Sequence, residues 1–183
     1  EMCIRDRVAL SFDSLVEDTN RAMLGGPLAA AKLEVLARLD AAGVPTTLLP
    51  VLARGHNDHE VGALVDLGLA TACVRSIELH TMTFTGHGGL AFDRGGRYTT
   101  YEVLRDLETQ TGGRLRVDDF VPSPAAHPLC YLVTYVLAMP DGERITREYY
   151  ERMRKYSTWV FSIIQQMSHI SYISYIPDFI TQM

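Results

Sequence analysis

A parallel α/β fold is predicted from three features of the 183-residue sequence. Short apolar runs alternate with stretches of helical periodicity, turn residues punctuate them, and the spacing suits right-handed crossovers between parallel strands. Val8-Ala9-Leu10-Ser11-Phe12, closed by Asp13 and Ser14, reads as a buried strand. Pro27–Ala42 places Leu28, Ala31, Val35, Leu36, Leu39 and Ala42 on a helical stripe that Gly43 stops. Residues 46–52 form a second strand in which Pro50 demotes the interior. A second helix follows, with Val61, Leu64, Val65 and Leu69 on one face and Asn57 with Glu60 as its capping box. Val74–Leu79 is a third strand. Three strands are too few to close a barrel, and the first lacks a neighbour on one side, as in a truncated barrel.

After Thr85 the texture changes to glycine-rich loops at 86–89 and 94–97. Thr99 and Glu102 open a third helix as a capping box, and Gly112-Gly113 ends it. Pro122, Pro124 and Pro128 mark an extended connection, and residues 131–137 suit strand or helix. From Pro140 onward Ala and Leu are absent, while seven of nine Ile and five of nine Tyr fall there, so 140–183 reads as a tail of doubtful origin, a domain boundary or a chimeric or frame-shifted end. Val160, Ile163, Ile164, Met167 and Ile170 fit a helical stripe in it; the Ser and Gln around them argue against a membrane span. Residues 2–7 resemble one reading frame of a sequencing-library adapter, and 1–7 are set aside as non-native. The expected division is therefore 1–7, a barrel part at 8–85, an α+β extension at 86–139, and the tail.

Composition narrows function by exclusion. Twenty-two acidic against seventeen basic residues give a net charge of −5, and the scattered basic residues form no nucleic-acid footprint. Three cysteines, Cys3, Cys73 and Cys130, make no paired disulfide framework, and a charged N-terminus makes no signal peptide. A cytoplasmic chain is expected. There is no GxSxG, phosphate-loop or CxxC motif.

The chemistry-bearing residues cluster at the predicted strand ends, where α/β folds bind ligands. Ser11 and Asp13 alternate about Phe12 and share a face, which suits a polyol such as ribose or, equally, a local turn. Arg54 at the second strand end suits a carboxylate or phosphate. Glu78 and His80 share a face as an acid–base pair or as core packing. His56, Asp58, His59 and His80 form the set a metal-dependent hydrolase would use, although a three-residue histidine spacing across a helix start need not converge. Cys73 reads as buried packing.

In order and spacing, these motifs resemble the second half of a radical S-adenosylmethionine (SAM) enzyme. Residues 8–14 look like its fourth barrel strand with a Ser-x-Asp-Ser end. Residues 51–60 look like its fifth, with the Gly-x-Asn-Asp-x-Glu signature, and 74–84 like its sixth. Arg97-Tyr98-Thr99, Thr111-Gly112-Gly113 and Asp118–Pro122 resemble a narrower group holding archaeal pterin-methylating enzymes and tetraether lipid synthases. The resemblance covers about residues 8–139. It implies strands 4–6 of a truncated partial (β/α)6 barrel with a C-terminal α+β extension, and reductive SAM cleavage by a [4Fe–4S] cluster. The resulting 5′-deoxyadenosyl radical would act on a small molecule or lipid, with methyl transfer or carbon–carbon bond formation as outcomes and an electron donor as partner.

By the same resemblance Ser11 and Asp13 contact the ribose or amino-acid end of SAM, Arg54 its carboxylate, and the backbone around Leu79 and His80 its adenine. The family's CxxxCxxC ligands are absent from the sequence, and Cys130 is the one candidate auxiliary ligand near Pro124. The chain alone is therefore expected to be inactive. The rivals are a non-catalytic α/β ligand-binding module and the hydrolase.

Overall fold

The computed structural model describes residues 7–84, 92, 96–122, 131–138, 144–145 and 173–175, which divide into two compact units, Glu1–Val117 and Asp118–Met183. In the first unit β1 (Val8–Ser11), β2 (Thr46–Leu49) and β4 (Val74–Ile77) form a parallel sheet with β2 central. Val8 opposes Thr46 and Ser11 opposes Leu49, while a register irregularity between Thr46 and Thr47 offsets β4. Beyond Pro50, β3 (Val51–Leu52) pairs in parallel with β5 (His80–Thr81). Proline has no N–H to give the ladder, so the expected strand over 46–52 is broken at that residue.

The crossovers are helical. Between β1 and β2 run α1 (Glu17–Leu24) and α2 (Ala29–Ala41). The first of these was not expected from the sequence. Its termini lack side-chain caps, and the Glu17 carboxylate instead accepts the Ala29 and Ala30 amides at 3.2 and 3.0 Å, capping α2. The inward stripe of α2 is rotated from the expected one: Ala29 and Leu36 are buried and Lys32 is half-buried, whereas Ala31 and Val35 face solvent. Apolar residues surround this helix, so their spacing did not fix its face.

Between β3 and β4 runs α3 (Val61–Ala70), preceded by a 3-10 turn at Asp58–Glu60. Val61, Leu64 and Val65 are buried, and Gly68 lies so close to the sheet that a Cβ there would meet Ile77 Cδ1 at 2.4 Å. After the glycine-rich stretch, α4 (Thr100–Gln110) packs on α3 and buries Val103, Leu104 and Leu107. The expected capping box is present: Thr99 Oγ1 accepts the Glu102 amide, and Glu102 accepts the Thr99 amide. The helix ends at Thr111, and the reversal places Gly112 and Gly113 at φ of 62° and 78°.

In the second unit β7 (Leu132–Ala138) settles the open choice over 131–137 as strand. It pairs antiparallel with β6 (Val121–Pro122) and β8 (Arg144–Ile145), and parallel with β9 (Ile173–Tyr175). The helical stripe read at 160–170 lies outside the described residues. Among the described residues, no helix is long and apolar enough to cross a membrane.

At Gly62 the contact between α3 and α4 leaves no room for a side chain: a Cβ would stand 2.6 Å from Gln110 Cβ and 3.1 Å from its carbonyl carbon. Backbone cannot yield as a side-chain tip can. Gly62→Ala is therefore expected to cost roughly 1–3 kcal/mol, outweighing the helix-propensity gain of up to about 1 kcal/mol. A lowered urea midpoint with unchanged m-value checks this; a raised midpoint would refute the packing argument.

Candidate functional site

The C-terminal ends of β1 and β3 are stitched together by buried side chains. Asn57 is fully buried, and its carboxamide serves three backbone groups. Oδ1 accepts the Ala53 amide at 2.8 Å, while Nδ2 donates to the Asp13 carbonyl at 2.6 Å and the Val51 carbonyl at 2.8 Å. Asp13 answers from the other side, accepting the Val51 amide on Oδ1 at 2.9 Å. Glu60, also buried, accepts Ser14 Oγ at 2.7 Å and the Leu15 amide at 2.8 Å.

These bonds overturn the expected capping box of Asn57 and Glu60. Neither side chain caps its helix. A capping box is a local solution for two amides, whereas here both side chains bond to groups in the turn after β1.

Ser11 and Asp13 are brought together as their alternation required: Ser11 Oγ lies 3.0 Å from Asp13 Oδ2. Lys32 Nζ reaches the same oxygen at 3.1 Å, with its side chain 16% exposed. Sequence reading missed Lys32; the signal was a lysine at helical spacing between Ala29 and Leu36. With Ser11, Lys32 and the Val51 amide bound, the Asp13 carboxylate has three donors. It accepts only, so the exposed Ser11 hydroxyl gives its proton inward and offers lone pairs outward.

Arg54 stands at the rim, two residues beyond β3. Its guanidinium is ion-paired with Glu102 Oε1, its Nε donates to the Arg97 carbonyl at 3.0 Å, and its Cζ lies 5.7 Å from the Tyr98 ring centroid. The bond to Glu102 pushes the Arg54 pKa upward. In turn Arg54 first, and then the Thr99 amide and hydroxyl, hold the Glu102 carboxyl at about 2. Tyr98 is buried and donates to Asp106 Oδ2 at 2.6 Å; burial, then that carboxylate, raises its phenol well above the ordinary value.

At the third strand end, His80 Nε2 lies 3.6 Å from buried Glu78. The His80 amide donates to the Pro50 carbonyl at 3.0 Å, fixing the half-buried Leu79 between two strand-end bonds, the other from the Glu78 amide to the Leu48 carbonyl at 2.8 Å. The proposed hydrolase set does not converge. His56 packs edge-on against Phe92 with ring centroids 5.0 Å apart, and His59 lies 3.8 Å from both Asp58 and Glu60. Among the described residues no three His, Cys, Asp or Glu side chains gather as a metal site. Cys73 is buried beside Thr46, and Cys130 lies outside the described residues.

No family model matches the chain. Compared with curated proteins, it is 30% identical over 128 residues to a 7,8-dihydro-6-hydroxymethylpterin dimethyltransferase of Methanocaldococcus jannaschii. It is similar to a methyltransferase. The aligned stretch is 69% of this chain and 25% of that enzyme, so the chain spans about a quarter of the relative's length.

Two outcomes are expected from this geometry. Asn57→Ala removes three buried bonds, leaving two carbonyls and an amide unpaired, and should cost at least about 2 kcal/mol in urea unfolding; a smaller loss would mean that the two strand ends do not depend on it. Second, the Glu102 carboxyl is held low, so the ion pair is complete above the ordinary value of 4.5 and is lost as pH falls towards about 2. In Arg54→Gln, carboxyl NMR should show the Glu102 pKa moving up, though short of 4.5 because Thr99 still donates to it.

Proposed function

We propose that this chain is part of a radical SAM enzyme that methylates a small molecule, contributing strands 4–6 of a partial barrel and half of the SAM site. The likeness to a pterin dimethyltransferase carries this reading. The ordered motifs at the strand ends agree with it, because their resemblance points to archaeal pterin-methylating enzymes. A reduced pterin is accordingly the favoured substrate class, ahead of a lipid.

SAM supplies an activated methyl group and a cleavable carbon–sulfur bond. Its polar groups suit the donors and acceptors at this rim. Ser11 is oriented by Asp13 and Lys32 as an acceptor, which suits a ribose hydroxyl or the SAM ammonium. Arg54 suits the carboxylate. The His80 amide is committed to Pro50, so an adenine contact falls to the Leu79 backbone and the His80 imidazole. Asp13 is a positioning residue in this scheme, and Lys32 neutralises it.

The described residues do not fit a [4Fe–4S] cluster: Cys73 is their one cysteine, buried beside Thr46. The chain alone is therefore proposed to lack SAM-cleaving activity.

Equilibrium dialysis of radiolabelled SAM against the full chain tests the reading. Measurable binding that falls about tenfold or more in Arg54→Ala, equivalent to ~1.4 kcal/mol, and falls also in Ser11→Ala supports it. Binding indifferent to both substitutions, or none in the wild type, refutes the assignment of this site to SAM.

A further inference from the structure

Glu102 uses its two oxygens for two different tasks. Oε2 accepts the Thr99 amide at 2.9 Å and Thr99 Oγ1 at 2.7 Å, which caps α4. Oε1 meets the Arg54 guanidinium. Giving up Arg54 therefore leaves the helix cap intact. Arg54 keeps two contacts of its own, the Arg97 carbonyl on Nε and the Tyr98 ring 5.7 Å from Cζ. Both partners of the ion pair are about two-fifths exposed, so a solute can reach it and water screens it.

We propose that Arg54 is a carboxylate-exchange site: Glu102 Oε1 is an internal occupant that a ligand carboxylate displaces, while Oε2 stays on Thr99. The inference deepens the reading of Arg54 as the residue for the SAM carboxylate, and rests on it for the natural ligand. It assigns Glu102 a new role as the residue that sets how strongly Arg54 holds an anion. An anion arriving at Arg54 meets the Glu102 charge beside it and must overcome both competition and repulsion. Arg54 stays placed by its other anchors, so neutralising Glu102 removes the competitor without losing the site. The exchange also spares neutral ligands, because a group without charge gains too little from Arg54 to displace a carboxylate.

The test follows the Arg54 Nε–H resonance of the full chain by NMR during titration with L-methionine, and with L-methioninol as the matched probe lacking the carboxylate. L-Methionine should move Arg54 Nε–H and leave the Thr99 amide near its capped position, whereas methioninol should move neither. Glu102→Gln retains a capping-box side chain and should bind L-methionine about three- to fivefold more tightly, the scale of one exposed charge pair. Equal or weaker binding in Glu102→Gln, or no Arg54 response to L-methionine, overturns the exchange. The same titration with SAM separates the two proposals. Exchange with L-methionine but no response to SAM refutes the SAM reading and keeps the exchange; SAM shifts at Ser11, with no Arg54 response to L-methionine, do the reverse.

Discussion

The Asn57 carboxamide is the constraint on which the rest of this site depends. It joins the carbonyl after β1 to a carbonyl within β3 and the amide just beyond it, so the two strand ends cannot separate without stranding polar groups. Asp13 repeats the link in the opposite sense through the Val51 amide. In a buried setting such bonds are strong when complete and costly when broken, and each makes the others harder to lose. Ser11 inherits its position from this arrangement, because it stands two residues before the carbonyl that Asn57 holds. Arg54 inherits its own position because the Ala53 amide beside it is the third group Asn57 holds.

Charge is handled differently inside and at the rim. Asp13 is buried with Lys32 as its counter-ion, while buried Glu60 relies on the Ser14 hydroxyl and the Leu15 amide, with a histidine nitrogen 3.8 Å away. Ions taken out of water need complete hydrogen bonding, and both have it. Arg54 and Glu102 pair in water instead, where rearrangement costs little. The site thus has a fixed floor and an adjustable edge.

How much of this was legible in the sequence depended on the range of the contact. The alternation of Ser11 and Asp13, the capping box at Thr99 and the stop at Gly112-Gly113 are settled within four residues, and each is present. Asn57 and Glu60 also looked local, but each has a partner far along the chain, Asp13 at 44 and Ser14 at 46 residues. A capping box and a long-range tie use the same side-chain atoms, so spacing alone favours the cheaper local answer. The stripe on α2 failed for a related reason: alanine and leucine on several faces blur the period, and the half-buried Lys32 breaks the rule that lysine faces outward. Arg54 was recognisable as a rim cation from its place after a strand, but Glu102 was assigned only to its helix cap, since its second oxygen leaves no trace in the pattern.

Placing Asp13 as a support changes what the strand ends can recognise. A carboxylate aimed at solvent would accept two ribose hydroxyls by itself; one already holding a serine, a lysine and an amide has little left to offer a ligand. Recognition then passes to the group that Asp13 orients. Ser11, donating inward, is an acceptor outward, while Arg54 is a cation. A ligand meeting both must present a hydrogen-bond donor and an anion, which an α-amino acid carries on one carbon as ammonium and carboxylate. On the proposed SAM reading this favours the amino-acid end over the ribose, because a lysine of α2 helps commit the Asp13 carboxylate.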